Sequence, residues 1–179
     1  TLLRLGTVQS FWGNTNDAQQ YLDSALEIFK TIGDFYGQAD TLKALGKLEN
    51  HHGYNFKSLP YYEQALEIFK KLKDELAELV WGKASIEQRW DRFRSSIKGM
   101  GPAMMSELLC HVHPDECILW NRRALVGFRY LGMEDVPRLN YQLTGKRYQS
   151  LCDVAKSIAQ EMRKEGMPDA KSLTVDYFI

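Results

Sequence analysis

The sequence predicts an all-α protein, a helical solenoid followed by a helical domain of a different kind. Apolar residues recur three or four positions apart in both halves of the 179-residue chain, as they do along one face of a helix. The segment ALEIFK occurs at residues 25–30 and again at 65–70, a period of forty residues that is typical of stacked helical units. A glycine-rich turn, KGMGP at residues 98–102, joins two helix-like segments in the second half, where the repeat is absent.

Charge separates the two halves. The chain contains 23 basic and 23 acidic residues, so its net charge indicates no partner. Residues 1–82 contain 8 basic and 11 acidic residues, whereas residues 83–179 contain 15 and 12. The second half is therefore the one predicted to meet an anion.

Cysteine content and the lack of apolar runs bear on location. Three cysteines do not make a disulfide framework, and no signal peptide or long apolar segment is visible. We therefore expect a cytoplasmic protein that does not bind a membrane. Because both ends fall within helix-like segments, we expect it to be a piece of a longer protein.

Each repeat unit is predicted to be a pair of helices, A and B. In the first unit, helix A ends at Gly13-Asn14, and Asn16 or Asp17 can cap helix B. A small residue, Gly6, lets the two helices approach closely. The apolar face of helix B comprises Ala18, Leu22, Ala25, Leu26 and Phe29.

This pattern resembles the tetratricopeptide repeat, in which a Leu-Gly pair of helix A faces small and aromatic residues of helix B. Two such repeats are identified within residues 1–82, each about forty residues long where the family has about 34. Residues 74–83 are expected to cap the stack, and Ser58 departs from the Ala usual in the family. The matching positions are Leu5, Gly6, Gly13, Asn14, Ala18, Leu22, Ala25 and Leu26, then Leu45, Gly46, Gly53, Tyr62, Ala65 and Leu66.

The resemblance implies a concave surface, lined by the A helices, that binds a peptide or a partner domain. The residues expected to contact that partner are Gln9, Lys43, Lys47 and Asn50. The alternative for each of them is an ordinary solvated polar position.

The second half, residues 83–179, begins with a helix, a short turn and a second helix. Ile86, Trp90, Phe93 and Ile97 fall on one face of the first helix. Pro102 opens the second helix, where its missing N–H costs little. The predicted inward residues of this second helix are Ala103, Met104, Leu108 and Leu109.

An apolar residue followed by Gly-x-Gly, a small residue and an apolar helix resembles the helix-hairpin-helix motif. The resemblance implies that backbone N–H groups of the turn hold a nucleic-acid phosphate, DNA being the expected nucleic acid, without reading sequence. Because the glycines have no side chain, a phosphate could approach the turn closely. Lys98 adds a positive charge. The residues that this assigns to nucleic-acid binding are Lys98, Gly99, Met100, Gly101 and Ala103.

The segment ILWNRRAL, about twenty residues after the turn, extends the resemblance to the helix-hairpin-helix DNA glycosylases. Asn121 stands where that family has its catalytic Asp, and residues 102–105 lack the Lys that forms a Schiff base in its lyase-type members. Asn121, Arg122 and Arg123 are therefore predicted to contact nucleic acid rather than to catalyse. The alternative is that the two arginines are ordinary solvated residues at the start of a helix.

The segment CHVHPDEC contains potential zinc ligands, Cys110, His111, His113 and Cys117. Their spacing matches no familiar zinc pattern, so we expect no metal and no cofactor.

These observations predict a non-catalytic scaffold that joins a protein-binding repeat surface to a module holding nucleic-acid backbone. One alternative is a pure protein-interaction module with a structural glycine turn. The other is a divergent DNA-repair-like enzyme that uses Asp115, Glu116 or His113 beside Asn121.

Overall fold

A computed structural model describes residues 1–51, 53 and 55–178, with the side chains of Asn55, Tyr177 and Phe178 left out of the description. The prediction of an all-α protein is confirmed: the described residues form nine α-helices, one short 3-10 helix at Asn140–Gln142 and no strand. The α-helices are α1 (Leu2–Phe11), α2 (Thr15–Ile32), α3 (Phe35–His51), α4 (Asn55–Trp81), α5 (Ile86–Ser96), α6 (Pro102–Val112), α7 (Arg122–Tyr130), α8 (Gly145–Lys164) and α9 (Ser172–Phe178).

The helices divide into two compact units. The first comprises Thr1–Glu75 with the short stretch Ile97–Gly99, and the second comprises Leu76–Ser96 with Met100–Ile179. The predicted domain boundary after residue 82 follows the end of α4, whereas the division by packing falls inside that helix. The last turns of α4 belong to the second unit because Leu79 and Val80 are buried and their carbonyl oxygens accept hydrogen bonds from the buried Arg89 guanidinium, at 2.6 and 2.8 Å.

The forty-residue period is visible in the packing of the first unit. A Cβ added to Gly6 would lie 2.7 Å from Leu22 Cγ, and one added to Gly46 would lie 2.7 Å from Tyr62 Cε1. Leu22 and Tyr62 are themselves forty residues apart. Each repeat therefore brings its first helix against its second helix at the equivalent glycine. The core of this unit is formed by Ala18, Leu22, Leu26, Leu42, Leu45, Leu48 and Ala65.

The core of the second unit is organised around a stacked aromatic pair. The rings of Trp90 on α5 and Tyr148 on α8 are 4.1 Å apart and nearly parallel. Trp90 Nε1 donates to Leu143 O at 3.1 Å, and Tyr148 Oη donates to Ile118 O at 2.8 Å, so both buried polar atoms are satisfied.

The predicted inward face of α6 was wrong by part of a turn. Of the four residues predicted to point inward, Leu109 is fully buried and Leu108 is half-buried, whereas Met104 is 48% exposed and Ala103 is also exposed. Met105, which was not predicted, is fully buried. The buried side of α6 is the stripe of Pro102, Met105, Ser106, Leu109 and Cys110, which share one helix face. The Ser106 hydroxyl on this side accepts a hydrogen bond from Trp120 N, before α7.

Candidate nucleic-acid interface

The first half of the glycine turn is fixed by the fold. Gly99 has φ +88°, a conformation that disfavours any side chain, and an added Cβ would lie 2.8 Å from Asp34 Oδ1. The Asp34 carboxylate accepts from Gly37 N at 2.9 Å and so satisfies the start of α3. The Lys98 side chain passes over Gly33, which also has positive φ. A carboxylate therefore lies against Gly99, where it would repel a phosphate.

The second half of the turn is different. Gly101 has φ −85° and ψ 171°, which any residue adopts, and an added Cβ would meet nothing within 4 Å. Gly101 is the N-cap residue of α6, and no side chain caps this helix. Pro102 occupies the first turn of α6, as predicted. The helix thus begins with main-chain N–H groups that no capping side chain covers, and these carry its positive dipole end.

The start of α7 is closed by its own N-cap. Asn121 Oδ1 accepts from Ala124 N at 2.8 Å, and Asn121 Nδ2 donates to Asp176 Oδ1 at 3.2 Å. Asp176 lies on α9 and is only 9% exposed, so the amide of Asn121 supplies a hydrogen bond to a buried carboxylate. Both polar atoms of the Asn121 side chain are therefore engaged within the fold.

Ser106 joins the two helix starts. Its buried hydroxyl accepts from Trp120 N at 2.8 Å and donates to Ala103 O at 2.8 Å. Trp120 immediately precedes the N-cap of α7, and Ala103 lies in the first turn of α6. One side chain thereby fixes the beginnings of both helices.

A pocket of about 490 Å³ opens between these helix starts. We call it the anion pocket, and its lining residues are Ala103, Trp120, Asn121, Arg122, Leu125, Arg138 and Asn140. No acidic residue is among them. In the part of the chain that the structure describes, the ion pairs involve neither Arg122 nor Arg138.

The structure brings three of the predicted nucleic-acid-binding residues together in this pocket, namely Ala103, Asn121 and Arg122. The others, Lys98, Gly99, Met100, Gly101 and Arg123, are not among the described lining residues. Sequence reasoning missed Arg138 and Asn140, which lie between α7 and α8, before and at the start of the short 3-10 helix. No periodicity marks that segment, and its positive charge was the only available signal.

The four predicted partner-binding residues of the first unit differ in their surroundings. Lys47 lines a small groove of about 150 Å³ between α1 and α3, which we call the α1–α3 groove. Gln9 Oε1 accepts from Asn14 Nδ2 at 2.6 Å, and Asn50 Oδ1 accepts from Ser58 Oγ at 3.4 Å. Lys43 pairs with Asp40, and this hydrogen bond raises the pKa of the Lys43 ammonium. The groove is lined by Thr7, Ser10, Phe11, Leu22, Ala44, Lys47 and His51, of which Phe11 is 88% exposed.

The residues named for an enzymatic alternative lie elsewhere. His113 Nε2 is 2.7 Å from Val80 O, at the end of α4. Asp115 faces Arg163 at 3.8 Å and Lys171 at 3.7 Å, and Glu116 is exposed. None of the three lines the anion pocket.

The cysteines behave as small apolar core residues. Cys110, Cys117 and Cys152 are all buried, and burial raises the pKa of the Cys110 thiol to about 11. Across residues 1–51, 53 and 55–178, no three side chains of the metal-binding types come together.

Comparison of the chain with protein-family models, curated proteins and solved structures found no match. A search of the described helices found none with the length and apolar character needed to span a membrane.

Proposed function

We propose that the chain is a non-catalytic binding protein whose second unit holds nucleic-acid backbone at the anion pocket. The observation that carries the proposal is an open pocket without an acidic lining residue, at which two arginines meet the uncapped start of α6. Arg122 and Arg138 supply full charges, and the uncapped start of α6 supplies N–H donors. A phosphate diester matches both kinds of group.

Gly101 supports the same proposal. The backbone of α6 does not need a glycine at this position, and space for a side chain is open. A phosphate can approach the N–H groups of α6 more closely when no side chain stands there. The resemblance to the helix-hairpin-helix motif implies a phosphate at the same turn, and here the favoured residues are Gly101 and Ala103 rather than Gly99.

The test is fluorescence anisotropy of the whole chain with labelled DNA across a salt series, comparing Gly101→Asp with Gly101→Asn. Both side chains cap helices well and have the same shape, so the pair isolates charge. We expect the Asp variant to bind at least about tenfold more weakly and the Asn variant to stay much closer to the parent, with affinity falling steeply as salt rises. Equal affinities of the two variants, or no binding at low salt, would remove the proposal.

A second function, protein binding by the first unit, is favoured by the α1–α3 groove. The exposed Phe11 ring and the Lys47 ammonium border this groove, so it suits a peptide that combines an apolar side chain with a carboxylate. Selection from a displayed peptide library should enrich acidic and apolar sequences. Binding of those peptides should fail with Lys47→Glu and persist with Lys43→Glu, because Lys43 is already paired with Asp40.

A further inference from the structure

The outward face of α7 is basic and carries no acidic residue. The helix, RRALVGFRY, buries Ala124, Gly127 and Phe128 against the second unit. Its exposed residues are Arg122, Arg123, Val126, Arg129 and Tyr130. Three arginines among the five exposed residues of this helix attract a polyanion that follows the helix.

A second pocket lies at the other end of α7. It has a volume of about 450 Å³ and is lined by Arg129, Gly132, Met133, Glu134 and Arg138. Arg138 also lines the anion pocket, so the two pockets share one lining residue. Arg122 and Arg129 lie seven residues apart, or about 10 Å along the helix. The basic surface is therefore longer than one phosphate, although Glu134 gives the second pocket one negative charge.

Two tyrosines that are next in sequence to pocket-lining residues are highly exposed. Tyr130, next to Arg129 at the end of α7, is 90% exposed, and Tyr141, next to Asn140, is 70% exposed. Neither ring contributes to the core. Aromatic rings interspersed with arginines suit unstacked bases, whereas the bases of a duplex are stacked on one another and offer no free face.

We propose that the nucleic acid held at the anion pocket is single-stranded and continues along α7 to the second pocket. Arg122, Arg138 and Arg129 contact successive parts of its backbone, and bases stack on Tyr130 and Tyr141. This inference rests on the proposed function, because it extends the strand from the phosphate held at the anion pocket. An acidic protein segment is the competing occupant of the same surface.

The test compares a labelled single strand of about 12 nucleotides with the duplex of the same sequence, using the whole chain at low salt. Two double variants form the matched pair: Tyr130→Ala with Tyr141→Ala removes both rings, whereas Tyr130→Phe with Tyr141→Phe keeps them. We expect the single strand to bind at least about tenfold more tightly than the duplex. We expect the alanine pair to weaken single-strand binding by about tenfold or more, and the phenylalanine pair to leave it nearly unchanged.

The outcomes separate this inference from the proposed function. The strand path along α7 is overturned if duplex binds as tightly as single strand. It is also overturned if the alanine pair binds like the parent while Arg138→Ala weakens binding. In both cases the proposed phosphate site at the anion pocket stands. If neither nucleic acid binds, both are overturned, and an acidic peptide that binds the parent but not Arg129→Ala would identify the competing occupant.

Discussion

The helices α6 and α7 begin side by side at one pocket, and they begin in opposite ways. Asn121 closes the start of α7 and also bonds to the buried Asp176. Gly101 leaves the start of α6 without a side-chain cap, although its backbone conformation is the one that a capping residue adopts. Contacts within the fold therefore explain why position 121 is an asparagine, but they do not explain why position 101 is a glycine. A residue that the fold does not require is the better candidate for a role in binding.

The largest effect is expected from Asn121→Asp, which places a carboxylate at the N-cap of α7. Asp caps a helix as well as Asn does, but it cannot donate a hydrogen bond to Asp176 and places a second negative charge beside it. We expect a loss of about 3 kcal/mol in the free energy of unfolding near neutral pH, measured by denaturant titration. The loss should shrink at acidic pH, because protonation of either carboxyl gives the pair a donor again.

The control for this prediction exchanges the two residues. In the double variant Asn121→Asp with Asp176→Asn, the new amide at position 176 can donate to the new carboxylate at position 121, which still accepts from Ala124 N. Most of the lost stability should return. A double variant no more stable than Asn121→Asp alone would mean that the bond between these side chains does not set the cost.

A smaller loss is expected when the link between the two helix starts is removed. Ser106→Ala leaves the buried N–H of Trp120 without its acceptor, which costs about 2 kcal/mol. Ser95→Ala is the matched control, because the exposed Ser95 hydroxyl only donates to Arg92 O within its own helix. Thermal unfolding should separate the two variants. Similar stabilities would indicate that α6 and α7 are held by apolar packing rather than by Ser106.

The sequence predicted the local features of this site and missed the long-range ones. Periodicity and Gly-Asn or Gly-Pro signals were sufficient for the all-α class and for Pro102 in the first turn of α6, since each depends on neighbouring residues. The partner of Asn121 lies fifty-five positions away on α9, and that of Gly99 lies on the turn before α3. No spacing rule connects such positions, because they meet only through tertiary packing.

The same limit explains why the sequence predicts a single phosphate-binding element at the glycine turn. Gly99 and Gly101 look equivalent in the sequence, and only their backbone angles and neighbours distinguish them. Arg138 was missed for a related reason. It follows Pro137 in an irregular segment, and its place in the anion pocket depends on how that segment packs near the start of α7.

The smallest effects distinguish the two glycines directly. Gly99→Ala forces a side chain into positive φ and against the Asp34 carboxylate, so unfolding free energy should fall by about 1–2 kcal/mol. Gly101→Asn should instead raise it by a few tenths of a kcal/mol, because it adds a cap to α6 where space is open. Denaturant titration of both variants measures the difference. If Gly101→Asn also destabilises the protein, Gly101 has a structural role after all, and its support for a phosphate site disappears. If Gly101→Asn stabilises the protein while Gly101→Asp weakens nucleic-acid binding, the open start of α6 serves binding at the expense of stability.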